Sequence, residues 1–490
     1  MYENKEENMR VLENLQPERV FYHFEEIAKI PHGSGNTKQI SDYLVAFAKE
    51  YNLEYYQDEI NNVIMIKEAT TGYENADAVI IQGHMDMVCE KESDCNIDFE
   101  KDGLDLYVED GFVKARGTTL GGDDGIAVAY GLALLEATDI AHPRLELVIT
   151  VDEETGMDGA YGIDLSMLKG KKMLNIDSDE EGIFLTSCAG GTSVEATIPV
   201  KRITQIGVVL NVKVDGLFGG HSGAEIHKER GNASILMGRV LNNIANEVPF
   251  GIISLAGGLK NNAIPRECNA SILVPEEAVS LVETIISEQS EIFKKELFAS
   301  DADVQVTSVN AGVQEASILD FASLNQVLAY LRLVPNGVQH MSQAISGLVE
   351  TSLNLGIMEL KEDVFVTDTS IRSSVGSRKE DLRDKLVNII ELVGGEAEVV
   401  GDYPAWEYKA ESKLREEIAA SYKAVYGEEP VFTAIHAGLE CGILSEKIED
   451  LDCVSFGPQN FDIHTPQERL NIESTERVWN FLVEYLRQAR

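Results

Sequence analysis

The stretch LELVITVDEETG, Leu145 to Gly156, constrains this chain more than any other. Leu145, Leu147, Val148, Ile149 and Val151 form a short apolar run rich in β-branched residues, which predicts a buried strand. Asp152, Glu153 and Glu154 follow where that strand should end. Desolvated carboxylates repel one another and resist ionisation, so three acids at the exit of a core strand are tolerable where water reaches them or a cation holds them. Taken alone, the stretch reads equally well as a solvated acidic turn or as part of a cation site. Its neighbours decide between the two.

The flanking segments alternate between helix and strand patterns. Val20, Phe24, Ile27 and Ala28 predict a helix over 17–30, stopped by Pro31, and a second helix carries Ile40, Tyr43, Leu44 and Phe47 behind a cap at Asn36 or Thr37. Strands are predicted at 62–67 and 78–82, the second leading into GHMDMV. The glycine-rich loop GTTLGGDD, 117–124, opens onto a helix over 126–137, and strands over 145–151 and 172–176 follow. This alternation argues an α/β domain built on a mainly parallel sheet. After Gly190 and Gly191 the pattern changes to strand pairs with long helical segments at 232–246 and 276–298 and further helical patterning at 381–393. That is an α+β insertion. Helix pattern returns at 409–426, and a strand at 430–435, the helix start HAGLECGIL, a strand at 452–456 and a final helix complete the chain. The expected organisation is a first domain split between 1–190 and 401–490, with an inserted α+β domain at 191–400. A length of 490 residues, beyond what one hydrophobic core supports, agrees with two domains.

Composition closes off several function classes. Lys plus Arg number 41 against 83 Asp plus Glu, a formal net charge of -42, so nucleic acid and anionic membrane are poor partners. The opening stretch MYENKEENMRVLENLQPERV is polar and lacks the basic region and apolar core of a signal peptide, and nowhere is there an apolar run of roughly 18 residues or more. The expected location is cytoplasmic. Six cysteines are scattered without a C-x-x-C pair, which indicates neither a disulfide framework nor a cysteine zinc site.

Further acids and histidines sit at predicted strand exits. In GHMDMV, His84 and Asp86 are two residues apart, so a strand's period of two places both on one face. A metal-bound imidazole usually has its other nitrogen held by a carboxylate or a carbonyl, and Asp86 has the spacing for that role. The bland alternative is a core histidine beside a turn aspartate. Asp123 and Asp124 open a helix, where aspartate is also a good N-cap. Asp177, in NIDSDEEG, follows another apolar segment, and His464 lies in a late loop flanked by prolines. In an open α/β sheet the strand exits converge on one crevice, so these residues can share one site despite their separation in sequence.

GHMDMV, GTTLGGDDG, VDEETG, NIDSDEEG and a late histidine in a GP…HTP context together resemble the co-catalytic zinc aminopeptidase and carboxypeptidase superfamily. Within it the chain is similar to the aminoacyl-histidine dipeptidases, over essentially its whole length, including GLFGGHSGAEIH, KNNAIPREC and HAGLECG. The resemblance implies one zinc held by His84 and Asp177, a second held by Glu154 and His464, and Asp123 bridging them. Manganese or cobalt suits the same donors. Asp123, Glu154 and Asp177 bring three negative charges against four from two divalent ions, so a bridging hydroxide leaves the core neutral. Asp86 is then expected to orient His84, Glu153 to act as general base on zinc-activated water, and His221 to donate to the oxyanion. The resemblance also implies a cis peptide between Asp123 and Asp124.

For recognition of a small unblocked peptide, Arg372 is the candidate clamp on a C-terminal carboxylate, with Asn262 assisting by hydrogen bonding. The resemblance also implies that His436 and Glu440 lie near the site, without an assigned role. Alternatives within the superfamily are a tripeptidase, a broad dipeptidase or an N-acyl-amino-acid deacylase. The alternative of another class is a silent peptide- or metal-binding protein, which the intact set of ligands and base disfavours. A homodimer that exchanges lid histidines and a self-sufficient single chain both remain open.

Overall fold

The structure is a computed structural model that describes residues 10–490. Residues 1–9, and with them the first part of the polar opening stretch, lie outside the described residues. Two compact units emerge. Among the described residues, one comprises 10–186 with Lys409–Ala434 and Ile443–Arg490, and the other comprises Ser187–Tyr408 with Ile435–Gly442.

The first unit is organised on an eight-stranded sheet. Its order is Glu54–Gln57, Val63–Lys67, Leu145–Thr150, Val79–His84, Lys172–Asn175, Asp452–Ser455, Ile183–Cys188 and Val431–Ile435. The centre is parallel, with Val79–His84 flanked by Leu145–Thr150 and Lys172–Asn175, and Asp452–Ser455 parallel to the latter. The margins depart from the expected parallel pattern, because Glu54–Gln57, Val63–Lys67 and Leu145–Thr150 pair antiparallel, as do Asp452–Ser455 and Ile183–Cys188. Every residue of Val79–His84 and of Leu145–Thr150 is buried, as expected of interior strands covered on both faces.

Register positions the site. His84 pairs with Thr150, so the acids beginning at Asp152 emerge just past the end of the neighbouring strand. Gln82 pairs with Asn175, which brings Asp177 level with His84 on the other side. Under these exits a buried polar layer ties the strands together, with Asn175 Nδ2 donating to Gln82 Oε1 at 2.6 Å. The helical stretch Gly122–Glu136 is apolar on all sides from Ile126 to Leu135 and is buried throughout that span, which explains why no amphipathic stripe marks it.

Glu136, at the end of that helix, joins the helices Glu18–Ala28 and Lys38–Glu50 to it. Its carboxylate accepts hydrogen bonds from Arg19 and from the Tyr51 hydroxyl at 2.9 Å, and His23 Nε2 lies 3.2 Å away. Burial works against ionisation, but Arg19 and His23 outweigh it and pull Glu136 down to about 2. A carboxyl group depressed on folding contributes stability that is present above its ordinary value and is lost as pH falls through the folded value. Acid denaturation should therefore include a step between pH 4.5 and about 2 from this group. Glu136→Gln should flatten the stability-versus-pH curve in that window, measured by urea titration at several pH values.

The second unit is an antiparallel sheet in the order Gln305–Leu319, Arg202–Asp215, Cys268–Val274, Gly251–Gly257, Val349–Leu360, Val364–Ser373, Gly190–Pro199 and Glu396–Tyr403, with Gly337–Met341 pairing beside Val349–Leu360. Val208, Leu210, Val212 and Val214 alternate into a core shared with the helices Ala233–Glu247, Val279–Glu296, Phe321–Leu333 and Gly376–Leu392. The helix Phe321–Leu333 falls where the sequence pattern suggested strand pairs. Its signals were legible, since Asp320 accepts the Ser323 N–H at 2.8 Å as a cap and Leu324, Val327, Leu328 and Leu331 recur at helical spacing on the buried side. Among the described residues, no helix is long and apolar enough to cross a membrane.

Candidate metal centre

The carboxyl ends of the central strands in the first unit converge as the register requires. Ligand atoms of His84, Asp123 and Asp177 lie within 4.8 Å of one another, and so do those of Asp123, Glu154 and His464. Asp123 belongs to both groups. Its Oδ1 stands 3.1 Å from His84 Nε2 and its Oδ2 stands 3.1 Å from His464 Nε2. His84 Nε2 is also 3.7 Å from Asp177 Oδ1, and His464 Nε2 is 3.0 Å from Glu154 Oε1. A third group at the same spacing is His84, Glu153 and Glu154.

Local backbone explains how each side chain arrives. Asp123 and Asp124 are non-helical residues at the head of the buried helix, and the peptide between them is cis, as the resemblance implied. Asp124 is buried and accepts the His84 N–H at 3.2 Å through Oδ2, so it supports the strand end that carries His84 rather than serving as a simple cap. Asp152 adopts a left-handed conformation with φ 54°, turning the chain sharply out of its strand into the single helical turn Glu153–Gly156.

Asp86 differs in detail from its expected part. His84 Nδ1 is held at 2.9 Å by the backbone carbonyl of Asp86, while the nearer carboxylate oxygen stands at 3.5 Å. That carboxylate accepts the N–H groups of Glu153 at 3.2 Å and Glu154 at 3.4 Å and the Ser34 hydroxyl at 2.7 Å. It therefore secures the turn bearing both glutamates. Sequence reasoning missed Ser34 and also Glu468, a buried acid just past His464 whose only signal was its place in the loop HTPQE.

The electrostatics of the cluster call for positive charge. Burial pulls the His84 imidazole down, but the neighbouring carboxylates of Asp123, Asp177 and Asp86 outweigh it and hold the ring well above its ordinary value. Hydrogen bonds to Asp123 and Glu154 push His464 up to about 10. Burial raises Asp177 to about 6 against the pull of His84, whereas Asp123, equally buried, is driven far below its ordinary value by His464 and His84. Asp177 Oδ2 is buried and has no hydrogen-bond partner. An orphaned carboxylate oxygen beside two imidazoles and two further carboxylates is a donor set that suits divalent ions binding nitrogen and oxygen. Divalent ions held here would take the imidazoles in their neutral form, so loading would be accompanied by proton release.

The remaining expected residues lie in the second unit. His221 Nδ1 accepts the N–H groups of Gly223 at 3.2 Å and Ala224 at 3.0 Å, which places the neutral ring's proton on Nε2. Burial and the nearby Arg372 hold this histidine below its ordinary value. Arg372 donates to the Tyr403 hydroxyl at 2.9 Å, and its Nε is buried with no hydrogen-bond partner. His436 is buried against Ser352, at 2.8 Å between Nε2 and Oγ, and burial together with Arg372 and His221 lowers it to about 3. Gly223 makes the grouping possible, because a Cβ there would stand 2.6 Å from the His436 carbonyl and 3.1 Å from both Arg372 Nε and His221 Cε1. Asn262 is exposed, and its carbonyl accepts the Ser222 N–H at 2.8 Å.

Known proteins resemble this chain over most of its length. The family model described as peptidase family M20/M25/M40 matches residues 80–488. The cytosol non-specific dipeptidase of Escherichia coli (strain K12) is 35% identical over 98% of this chain and 99% of its own length. The crystal structure of an aminoacylhistidine dipeptidase from Vibrio alginolyticus superposes with a TM-score of 0.92 at 35% identity, covering 98% of each chain. An aminopeptidase from Bacillus cereus shares the fold at a TM-score of 0.55 and 16% identity, covering 96% of this chain and 98% of that one. With a matching family model over most of its length and full-length relatives of this similarity, the chain belongs to peptidase family M20/M25/M40.

Proposed function

We propose that this chain is a cytoplasmic zinc dipeptidase that hydrolyses unblocked dipeptides and prefers histidine at the C-terminal position. The observation that carries the reading is the sharing of Asp123 between two ligand groups, His84 with Asp177 and Glu154 with His464, in a chain of this peptidase family. The histidine preference is supported by the likeness to the Vibrio aminoacylhistidine dipeptidase. The Escherichia coli relative is a non-specific dipeptidase at the same identity, which favours broad dipeptide cleavage as the second reading.

Two divalent ions in these groups supply Lewis acidity toward the peptide carbonyl and make water a better acid. Glu153 takes the proton from the attacking water and passes it to the departing amine nitrogen. His221 donates its Nε2 proton in a hydrogen bond to the oxyanion. Arg372 binds the substrate carboxylate, and Asn262 assists by hydrogen bonding. Arg372→Ala should raise KM for a dipeptide by roughly 10–100-fold with a smaller change in kcat, since hydrogen bonds to charged groups are worth about 1.5–3 kcal/mol. Steady-state kinetics on one dipeptide checks this.

The deciding experiment is hydrolysis by zinc-, manganese- and cobalt-reconstituted protein of β-alanyl-histidine, leucyl-histidine, leucyl-glycine, a tripeptide and an N-acetyl amino acid. Fastest chelator-sensitive cleavage of the histidine dipeptides is expected. Equal rates on leucyl-glycine would give the broad reading, and cleavage led by the tripeptide or the acetylated substrate would move the assignment elsewhere in the family. Metal uptake without any cleavage would leave a silent binder.

A further inference from the structure

Glu468 follows His464 in the same loop and has no part in the chemistry above, yet its side chain is 3% exposed and surrounded by donors. Oε2 accepts the N–H groups of Leu120 at 2.7 Å and Gly121 at 3.1 Å. Oε1 accepts those of Gly122 at 2.8 Å and Asp123 at 3.3 Å, together with Asn460 Nδ2 at 3.1 Å. Four consecutive backbone amides therefore end on one carboxylate.

The arrangement answers a local need. Gly121 is left-handed with φ 69°, and Asp123 departs from helical geometry with ψ 104°, so this turn cannot satisfy its amides by regular hydrogen bonding. Buried backbone donors require partners, and a buried carboxylate requires donors, so each resolves the other's cost. The turn ends on Asp123, whose two oxygens reach His84 and His464 at 3.1 Å each. Glu468 thus links the turn that presents Asp123 to the loop that presents His464.

We propose that Glu468 is a positioning residue that fixes the Leu120–Asp123 turn against the His464 loop and so sets the spacing of the metal ligands. The inference rests on the metal-site reading above. In Glu468→Gln an amide NH2 replaces one acceptor oxygen and confronts two backbone N–H groups with a donor.

The test compares wild type and Glu468→Gln in two ways. In the metal-free protein, hydrogen exchange of the amides at 120–123 should quicken by about 10-fold or more, because their acceptor is compromised. Zinc affinity by chelator competition should fall by about 10–100-fold, as it does when groups that hold ligands in place are changed. Excess zinc should restore kcat with KM unchanged. A folded variant with wild-type exchange at 120–123 and wild-type zinc affinity overturns the proposal, even if its melting temperature is lower.

Should Glu468→Gln not fold, Gly122→Ala probes the same cradle with the carboxylate intact. A Cβ there stands 2.8 Å from Asn460 Nδ2 and 3.1 Å from Glu468 Oε1. Weakened zinc binding in that variant supports the proposal and wild-type binding overturns it. Wild-type protein that binds no zinc defeats the metal-site reading instead, and amide exchange at 120–123 still decides whether Glu468 holds the turn.

Discussion

Glu153→Ala is expected to fold, to keep both metal ions and to lose turnover by about 10²–10⁴-fold, the usual contribution of a general acid–base group. The turn that carries this residue is anchored through its backbone. Asp86 accepts the backbone N–H groups of residues 153 and 154, and the left-handed Asp152 redirects the chain, so Glu154 stays in place when the neighbouring carboxylate is removed. The informative readout is the pairing of kcat with metal content. The carboxylate of Glu153 lies within ligand spacing of His84 and Glu154, so it is also positioned as an alternative ligand. Loss of metal together with activity would assign it that role. Near-normal activity with full metal would remove it as the base.

Asp123→Asn is expected to have the larger effect on metal content. Asp123 meets both imidazoles at 3.1 Å, through different oxygens, and its carboxyl is held far below its ordinary value by them. The amide keeps the size of the side chain but removes one of the three negative charges facing the ions, and its NH2 faces a ring nitrogen that needs an acceptor or a metal. Breaking one partner out of a buried charged group costs roughly 3–5 kcal/mol, or about 10²–10⁴ in affinity. Metal content after dialysis should fall from two ions per chain to one or none, with activity falling in parallel. Retention of two ions at wild-type affinity would show that the two groups do not share this ligand.

The elements that were legible in the sequence share a property. Val79–Ile81 and Leu147–Ile149 are short runs of β-branched and apolar residues with no polar face, and only the interior of a covered sheet accommodates them. Acids directly following such runs mark strand exits, which is why Glu153, Glu154 and Asp177 could be named in advance. Phe321–Leu333 was equally legible from Asp320 and the spacing of its leucines, and the surrounding strand pairs obscured it. Glu468 was not legible. It looks like any acid in a polar loop, and its four amide partners lie far away in the chain.

The place of acids and histidines at strand ends follows from local chemistry, because hydrophobic patterning and turn residues act over a few neighbouring positions, whereas the choice of candidate ligands among them came from the resemblance of the motifs. The α/β character and the change of pattern after Gly191 are of this kind. Which residues meet is a different matter. The pairing of Gln82 with Asn175 brings Asp177 level with His84, and the pairing of His84 with Thr150 sets where the acids from Asp152 to Glu154 emerge. The antiparallel margins of the sheet, the use of the Asp86 carbonyl rather than its carboxylate on His84, and the cradle of Glu468 around Leu120–Asp123 are likewise settled by contacts between distant segments. Such contacts depend on register and on the direction of individual hydrogen bonds, and a one-dimensional pattern of residue types encodes neither.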